Sequence, residues 1–390
     1  MNFILYDHSE WQQLLPLTYT RSVADIRVGI LTIREKWENY LGHPVRIYCN
    51  GYLSGKYGYA GKGDWVIINS SVLPDAEIAA QLNTFENGMS ISGNSSWVAS
   101  CFSGDINDFI PSSDGTSHMA VGMKKISRPW DIFRMNGEEM KKDFELLTKG
   151  KISQKISDSN KIVGTHPVFL EEGAKCEASV INTTDGPVYI GKNAEIMEGS
   201  LIRGPLALCE GAQLKMGTKI YGPTTIGPHC KVGGEVNNSV IFGYSNKAHD
   251  GFLGNSVIGE WCNLGADTNN SNLKNNYGNV EMWNDAEGDY IPTGLQFCGL
   301  IMGDHSKCGI NTMFNTGTTA GVNANIFGGG FPKKNIPSFA WGGPEGLTEY
   351  DLDKAIETAG RVMARRNMTL SDGDKEIFRQ IFNITKKFRK

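Results

Sequence analysis

The residues best suited to proton transfer and polar recognition are concentrated in one central stretch of the sequence. His249 lies in KAHDGFLGNSVIGEWCNLGADT (residues 247–268). An imidazole with an unperturbed pKa near ~6.5 can take up or release a proton at neutral pH. The next segment, NNSNLKNNYGNVEMWNDAEGDY (residues 269–290), is rich in asparagine. These residue types fit general base catalysis, with amide groups nearby for polar contacts.

A six-residue repeat surrounds these residues and must position them. Eight aliphatic residues recur at every sixth position: Ile190, Ile196, Ile202, Leu208, Leu214, Ile220, Ile226 and Val232. After a change of phase and a later insertion, the repeat resumes with Phe252, Ile258, Leu264, Met302, Cys308, Phe314, Ala320 and Ile326. A period of six fits neither a helix nor the simple alternation of a strand. It predicts a triangular parallel β-helix, with three hexads in a coil of about 18 residues and the repeated side chain pointing inward.

Glycine directly follows the repeated aliphatic residue at Gly191, Gly227 and Gly233. We interpret these glycines as corner residues with positive φ, which glycine adopts without steric cost. An ordinary β-sandwich is the alternative, but it predicts strands roughly 8 to 12 residues apart with no fixed phase. The repeat therefore favours the β-helix.

The run of hexads resembles the hexapeptide acyltransferases, and especially the GlmU-type family of bifunctional N-acetylglucosamine-1-phosphate uridyltransferases and glucosamine-1-phosphate acetyltransferases. The resemblance implies that the β-helix is left-handed, that the protein is a homotrimer, and that acyl-CoA sites lie between neighbouring helices. It also implies three regions. They are a sugar nucleotidyltransferase-like α/β domain over residues 1–155, a left-handed β-helix acyltransferase domain over residues 156–343 and a short α-helical tail over residues 344–390.

The segment around His249 resembles the acetyl-transfer segment of that family. By position, His249 matches the catalytic histidine, Phe252 a residue that is usually tyrosine, and Asn263 the asparagine of an N-[IL]-G-A-G-T run. Asp267 replaces the last glycine of that run. The implied role of His249 is to accept the proton that an amino-sugar ammonium loses before it attacks a thioester. Either Asp250 or a backbone carbonyl could hold the other imidazole nitrogen.

The loop after this segment resembles the family loop that closes over a sugar phosphate. The resemblance implies that Asn272 is an amide ligand, that Lys274 binds phosphate, and that Tyr277 forms a wall or donates a hydrogen bond. A solvated loop would explain the same composition. His305, in MGDHSKCGIN, is either a substrate contact or a residue on the surface of a coil.

The resemblance also implies acetyl-CoA as the co-substrate. Basic residues near the later coils could bind its phosphates, and we predict this role for Lys307, Lys333 and Lys334. In the tail, Ser371 is predicted to cap a helix. The arginines Arg361, Arg365 and Arg366 could also reach a CoA phosphate, although a solvated helical face is the preferred interpretation.

The first 150 residues or so alternate apolar strands with a helix, which predicts an α/β layer structure. The predicted elements are a strand at Phe3–Tyr6, a helix at Leu31–Tyr40 and strands at Arg46–Tyr48 and Trp65–Asn69. The segment LLPLTYTR (residues 14–21) resembles the P-L-T-x-T-R segment of sugar nucleotidyltransferases. This resemblance implies nucleotidyl transfer with UTP, binding of a sugar nucleotide without turnover, or support of assembly alone.

The phosphate-binding part of this domain departs from the nucleotidyltransferase pattern. The loop DHSEWQQ (residues 7–13) contains no glycine where that family has G-x-G-T-R, and Ser70 or Ser71 stands where it has a magnesium-binding aspartate. Any substitutes must be side chains, since backbone approach to phosphate needs glycine. The possible substitutes are Arg21 and Arg27 for phosphate, and Asp7 or Asp131 for Mg²⁺ if nucleotidyl transfer occurs.

Composition limits the remaining function classes. Charged residues make up 21% of the 390 residues and the formal net charge is -4, which disfavours nucleic acid and anionic membranes as partners. The eight cysteines include no C-x-x-C pair, which predicts free and mostly buried thiols in a cytoplasmic protein. Three functions stay open: an acetyltransferase with or without uridyltransferase activity, a nucleotidyltransferase whose β-helix only trimerises, and a non-catalytic sugar-nucleotide binding protein.

Overall fold

The computed structural model describes residues 2–49, 51–58, 61–93, 96–112, 117–118 and 123–389. The chain forms two compact units. Unit 1 consists of Met1–Leu14, Thr20–Ile26 and Leu31–Arg128, and unit 2 consists of Leu15–Tyr19, Arg27–Ile30 and Pro129–Lys390. These units do not follow the predicted domain boundaries after residues 155 and 343, which stay a prediction.

Unit 1 is built on a mixed sheet, as the predicted α/β layer structure requires. Its strands are β1 (Asn2–Tyr6), β2 (Val45–Tyr48), β3 (Lys62–Asn69), β4 (Ser90–Gly93), β5 (Ser96–Asp105) and β6 (Ser117–His118). They lie in the order β2-β1-β3-β5-β4-β6, with β1 parallel to both β2 and β3. The apolar run of β1 is explained by burial of Phe3, Ile4 and Leu5 within the unit.

Short helices connect the strands of unit 1. They are α1 (Glu10–Gln13), α2 (Ile33–Leu41), α3 (Ser54–Tyr57) and α4 (Ala76–Leu82), with 3₁₀ turns at Val23–Asp25, Gly51–Leu53 and Ile106–Asp108. Helix α2 begins later than predicted because Thr32 caps it. The Thr32 side chain accepts from the backbone N–H of Glu35, and the Glu35 carboxylate accepts in return from the Thr32 N–H.

Unit 2 is dominated by a parallel β-solenoid that matches a left-handed β-helix, as predicted. Its three faces follow one another along the chain. Face A contains Lys161–Val163, Val180–Asn182, Leu201–Arg203, Lys219–Tyr221, Glu235–Asn237 and Phe252–Gly254. Face B contains Val168–Leu170, Val188–Ile190, Leu206–Leu208, Thr224–Ile226, Val240–Ile241, Val257–Ile258, Leu300–Met302, Thr318–Ala320 and Asn335–Ile336. Face C contains Lys175–Cys176, Glu195–Ile196, Gln213–Leu214, Lys231–Val232, Asn246–Lys247, Asn263–Leu264, Lys307–Cys308, Asn325–Ile326, Ala340–Gly343 and the antiparallel closing strand Gly346–Glu349.

Other elements of unit 2 complete the solenoid. A two-stranded sheet pairs Asn269–Asn270 with Met313–Phe314, and a hairpin pairs Glu281–Asn284 with Asp289–Pro292. Helix α5 (Pro129–Thr148) buries Met140 and Phe144 against Phe169 and Tyr189 of face B. The tail forms α6 (Leu352–Ala364), α7 (Asp372–Ile384) and a 3₁₀ turn at Lys386–Phe388. As predicted, Ser371 caps α7 by accepting from the N–H of Asp374.

The solenoid core confirms the six-residue repeat and corrects one position. Fifteen of the sixteen predicted inward residues are buried in one continuous cluster, and Phe252 is the exception. Its neighbour Leu253 pairs with Val236 and points inward at 1% exposure, whereas Phe252 lies on the outer side of face A. The alternation of a strand forces this result, since adjacent residues point to opposite faces.

The interpretation of these glycines as positive-φ residues is wrong for all three. Gly191 and Gly227 do not have positive φ, and after Gly233 the positive φ belongs to Gly234. Glycine is needed there because the coils approach closely. A Cβ at Gly227 would lie 2.6 Å from the Ile241 carbonyl oxygen, and one at Gly191 would lie 2.8 Å from a backbone nitrogen.

Two further sequence predictions can be compared with the fold. All eight cysteines are free, and all but Cys101 are buried, which confirms the predicted thiols. Within the described part of the chain, no helix combines the length and the apolar character that crossing a bilayer requires.

Candidate active site

His249 lies at the corner where the chain passes from face C to face A. Lys247, two residues earlier, occupies the inward position of face C that Val232 occupies one coil before. Its side chain is 2% exposed, and its Nζ donates to the backbone oxygens of Gly233 at 3.0 Å, His249 at 2.8 Å and Asp250 at 3.2 Å. The corner is therefore held from inside the solenoid, while the side chain of His249 is exposed.

Lys247 is a functional candidate that sequence reasoning missed. Burial lowers its pKa to about 8, against the opposing effect of the Asp250 carboxylate. A signal was present, because Ile241, Lys247 and Leu253 are spaced by six and all point inward. Lysine at an aliphatic position of the repeat indicates a buried ammonium, which needs acceptors to offset the loss of water.

Neither predicted partner holds the imidazole of His249. Asp250 is exposed, and among the described residues the ring of His249 has no hydrogen-bond partner. What the protein fixes is the backbone of His249, through its carbonyl bond to Lys247. The ring is thus presented to solvent on a fixed corner.

A row of amides and one aromatic ring continues from this corner along face A. The N–H of Phe252 donates to Asn269 Oδ1 at 2.8 Å, and Asn272 Nδ2 donates to Asn255 Oδ1 at 2.8 Å. Asp267, which replaces a family glycine, has a φ of +57°, so the replacement keeps a left-handed backbone that glycine would adopt freely. The structure therefore brings Phe252 and Asn272 to face A, which is the face that follows the His249 corner along the chain.

Two predicted phosphate ligands lie at the next corner. Lys274 and Lys334 line one cavity of about 510 Å³. Burial lowers the pKa of Lys334, and the nearby Lys274 lowers it further. Lys333 and Lys334 also line a second cavity of about 640 Å³ beside Trp283. Tyr277 is 67% exposed, so it encloses no site in this chain alone.

Two other predicted ligands, Asn263 and Lys307, lie on face C instead. They are neighbours on adjacent coils and line a cavity of about 450 Å³. Lys307 Nζ donates to the His305 backbone oxygen at 2.7 Å, and burial lowers the pKa of Lys307 to about 8. The predicted ligands thus form two groups on different faces, with His249 at the corner between faces C and A.

Four aromatic residues occupy successive turns of the corner between faces B and C. His229, Tyr244, Trp261 and His305 all have positive φ, between 58° and 63°. Their ring centroids are 5.1, 4.3 and 6.1 Å apart along the ladder. His305 is 6% exposed and its ring also packs edge-on against Phe378 of α7. Its position supports neither a substrate contact nor a coil-surface role.

The carboxyl end of β1 in unit 1 carries a buried carboxylate. Asp7 Oδ1 accepts from Ser70 Oγ at 2.6 Å, Ser22 Oγ at 2.8 Å and the Val23 N–H at 3.1 Å. Asp7 Oδ2 is buried and has no partner among the described residues. Burial raises the pKa of Asp7 to about 7, with a smaller contribution from Asp25, although the three hydrogen bonds act in the opposite direction.

The other predicted ligands of the first domain are dispersed. Arg21 is buried in unit 1, and its charge acts on the hydroxyl of Tyr57. Arg27 and Asp131 belong to unit 2, where Arg27 donates to the Ile30 oxygen and Asp131 lies in the first turn of α5. Among the described residues, no group of three or more His, Cys, Asp or Glu could hold a metal ion. One carboxylate with a raised pKa does not fit a Mg²⁺ site made by the protein alone.

Comparisons with known proteins give one family match and several fold matches. The family described as sugar nucleotidyl transferase matches residues 3–152. Among solved structures, the chain is similar to the UDP-N-acetylglucosamine acyltransferase of Francisella novicida, with 14% identity, 60% of this chain and 76% of that chain covered, and a TM-score of 0.32. The chain is also similar to LpxA, a UDP-N-acetylglucosamine acyltransferase from Bacteroides fragilis, with 17% identity, 60% of this chain and 83% of that chain covered, and a TM-score of 0.25. A third similar structure is the polySia-specific acetyltransferase NeuO, with 13% identity, 51% of this chain and 84% of that chain covered, and a TM-score of 0.29. No curated protein matches the chain.

Proposed function

We propose that the β-helix of this protein transfers an acetyl group from acetyl-CoA to the amino group of an amino-sugar 1-phosphate, with glucosamine 1-phosphate as the first substrate to test. One observation carries the proposal. The exposed imidazole of His249 stands on a corner braced by Lys247, beside the row formed by Phe252 and Asn272. A general base needs this combination of a fixed backbone and a ring that a substrate can reach.

The chemistry requires two proton transfers. The substrate ammonium gives one proton to His249, and the free amine attacks the thioester carbonyl carbon. As the carbon–sulfur bond breaks, the nitrogen passes its second proton to the departing thiolate, which leaves as free CoA. In this proposal Asn272 binds the sugar and Lys274 its phosphate, while Asn263 and Lys307 contact the ligand from face C.

A second candidate function is nucleotidyl transfer in unit 1, which the family match over residues 3–152 favours. Together the two activities would make the protein GlmU-type and give UDP-N-acetylglucosamine from UTP. Arg21 is the phosphate ligand proposed for unit 1. The carboxylate of Asp7 faces Ser70 at the ends of β1 and β3, where a nucleotide would bind in a parallel sheet.

We also propose that the protein is a cytoplasmic homotrimer. Face A exposes apolar side chains in successive coils, including Val163 at 42%, Val180 at 39% and Leu201 at 51%. Val180 and Leu201 are register partners on adjacent strands, whereas Val163 lies beside Asn182. Exposed apolar side chains on one face fit a surface that a second copy covers. Light scattering of the purified protein is expected to give the mass of three chains, and a monomer at micromolar concentration would contradict the proposal.

Two assays run side by side test the proposed function. The first follows free thiol release from acetyl-CoA with glucosamine 1-phosphate, and the second follows pyrophosphate release from UTP with N-acetylglucosamine 1-phosphate. We expect thiol release that depends on the amino sugar. If pyrophosphate is released and thiol is not, the nucleotidyl transferase function replaces the acetyltransferase. If neither product forms, a binding protein is the remaining function.

A further inference from the structure

The cavity of about 450 Å³ on face C has an unusual concentration of positive charge. Lys231 and Lys307 approach it from the solenoid, and Arg365 and Arg366 approach it from the end of α6. Its other lining residues are neutral: Tyr244, Asn246, Ala248, Trp261, Cys262, Asn263 and Val362. No carboxylate lies among the described residues that line it, so the cavity walls do not neutralise these four cations.

The packing of the tail on the solenoid brings the cations together. Arg366 Nη2 lies 3.4 Å from Asn246 Oδ1 on face C. Burial lowers the pKa of Lys231, and the positive charges of Arg366, Lys215 and Arg365 lower it further. Like charges in such proximity oppose folding unless an anion joins them. Carboxylates outside the lining also act on it: those of Glu260 and Glu210 on Tyr244, and that of Asp304 on Cys262.

Helix α6 alone does not explain the cluster. Basic residues favour a helix C-terminus because they offset its dipole, and this accounts for Arg365 at the C-cap. It does not account for Lys231 and Lys307, which come from face C. Arg361 of the same helix provides the contrast, because it is exposed, pairs with Glu357 and does not line the cavity.

We propose that this cavity is a binding site for the phosphate monoester group of a ligand. Four cationic side chains and the amides of Asn246 and Asn263 supply the donors that a phosphate dianion requires. Ala248 lines the cavity and precedes His249, so the site adjoins the proposed catalytic corner. If the proposed function holds with Lys274 on the sugar phosphate, the phosphate bound here is the 3′-phosphate of the acyl donor. A sugar 1-phosphate bound here would instead remove that role from Lys274.

Calorimetric titration of the intact protein with inorganic phosphate tests the site without any need for turnover. The double variant Lys231→Gln/Arg366→Gln is expected to weaken phosphate binding roughly a hundredfold or more, since it removes two charge-assisted hydrogen bonds. The control Arg361→Gln removes one positive charge from α6, outside the cavity, and should bind phosphate like the wild type. Thermal unfolding of each variant tests whether the tail remains folded.

Two outcomes would overturn the site: the wild type fails to bind phosphate, or the double variant and Arg361→Gln weaken binding equally. Competition then identifies the source. Displacement of phosphate by acetyl-CoA but not by acetyl-dephospho-CoA assigns the site to the acyl donor, and displacement by glucosamine 1-phosphate but not by glucosamine assigns it to the sugar. Displacement by neither removes the link to these substrates. His249→Ala should bind phosphate normally, so failure of the acetyltransferase proposal would remain distinguishable from failure of this site.

Discussion

Unit 1 and unit 2 each bury a charged side chain whose hydrogen bonds are fully resolved, Asp7 and Lys247, and the two differ in how many of their polar atoms have partners. In unit 2, the ammonium of Lys247 has three N–H donors and three backbone acceptors within 3.2 Å. In unit 1, Asp7 receives three donors on Oδ1, while its buried Oδ2 has no partner among the described residues. Burial lowers the pKa of Lys247 and raises that of Asp7, and each shift favours the neutral form of the group.

The difference indicates that Lys247 is a brace, meaning a residue that holds the backbone of a corner in place, whereas Asp7 belongs to an incomplete site. A fully paired buried charge holds the backbone around it and has no capacity left for a ligand. A buried oxygen without a partner costs free energy that only a proton, a ligand or a rearrangement can recover. We therefore expect Lys247 to act through the backbone of His249, and Asp7 to respond directly to pH and to ligands.

The largest expected effect follows from removing the imidazole that the brace presents. His249→Ala should lower the rate of acetyl transfer roughly 10²- to 10⁴-fold, the usual contribution of a positioned general base. Thiol release under saturating substrates measures the effect. His166→Ala is the matched control, because His166 is an exposed histidine of the same unit and should leave the rate unchanged. A mutant that retains most of its rate would move the reaction away from this corner.

The next effect concerns Asp7 and the pH dependence of stability. Its pKa is raised from 3.8 to about 7 in the folded protein, so the folded state binds more protons than the unfolded state between these values. Stability should therefore fall as pH rises from about 4 to about 7, by on the order of 4 kcal/mol at most. Asp7→Asn should abolish this component.

Urea unfolding of wild type and Asp7→Asn at several pH values measures that slope. Asp64→Asn is the control, since Asp64 is an exposed carboxylate on β3 of the same unit. It should preserve the wild-type slope. Identical slopes in all three proteins would mean that Asp7 is paired in solution in a way that the structure does not show.

Replacing Lys247 tests the brace without touching the imidazole. Lys247→Met keeps an unbranched side chain one atom shorter and removes the bonds to the Gly233, His249 and Asp250 carbonyls. We expect kcat to fall on the order of 10- to 100-fold, since a displacement of about 1 Å in a catalytic group has effects of this size. An unchanged kcat would show that the corner holds its shape without the ammonium.

A second readout separates positioning from simple loss of stability. The folded-state pKa of Lys247 is lowered from 10.5 to about 8, so the unfolded state binds more protons between these values. Wild-type stability should therefore gain a component as pH rises from about 8 to about 10.5, and the methionine variant should lack it. Lys175→Met, which removes an exposed lysine from the first coil of face C, should retain that gain.

The sequence predicted the solenoid well because its repeat is a local consequence of geometry. Each inward position from Ile190 to Val232 is set by one strand and one turn, so spacing alone identifies it. Phe252 was misplaced for the same reason, since a one-residue slip exchanges the inward and outward faces and a bulky apolar residue fits either. Lys247 occupies an inward position of the repeat, and a search for apolar residues alone overlooks it.

The site was less predictable because its groups come together through packing between distant segments. Residues 247 to 272 are contiguous, so their order along faces C and A follows from the repeat. The approach of Arg366 to Asn246 depends on how the tail packs on the solenoid, which no spacing in the sequence specifies. The burial of His305 under Phe378 depends on the same packing.

The smallest expected effect tests how closely two coils approach each other at the corner between faces B and C. A Cβ at Gly227 would lie 2.6 Å from the Ile241 carbonyl oxygen and 2.7 Å from the Phe242 carbonyl carbon, so Gly227→Ala must push two coils apart. Overpacking of this kind costs about 1–3 kcal/mol.

The matched control is Gly243→Ala, where the nearest atom would be 3.5 Å away and φ is not positive. There the loss of unfolded-state entropy should dominate and stabilise the protein by about 0.4–1 kcal/mol. Denaturant unfolding should thus give opposite signs for two glycines one coil apart, and equal shifts would mean that the coils accommodate the methyl group of Gly227→Ala without strain.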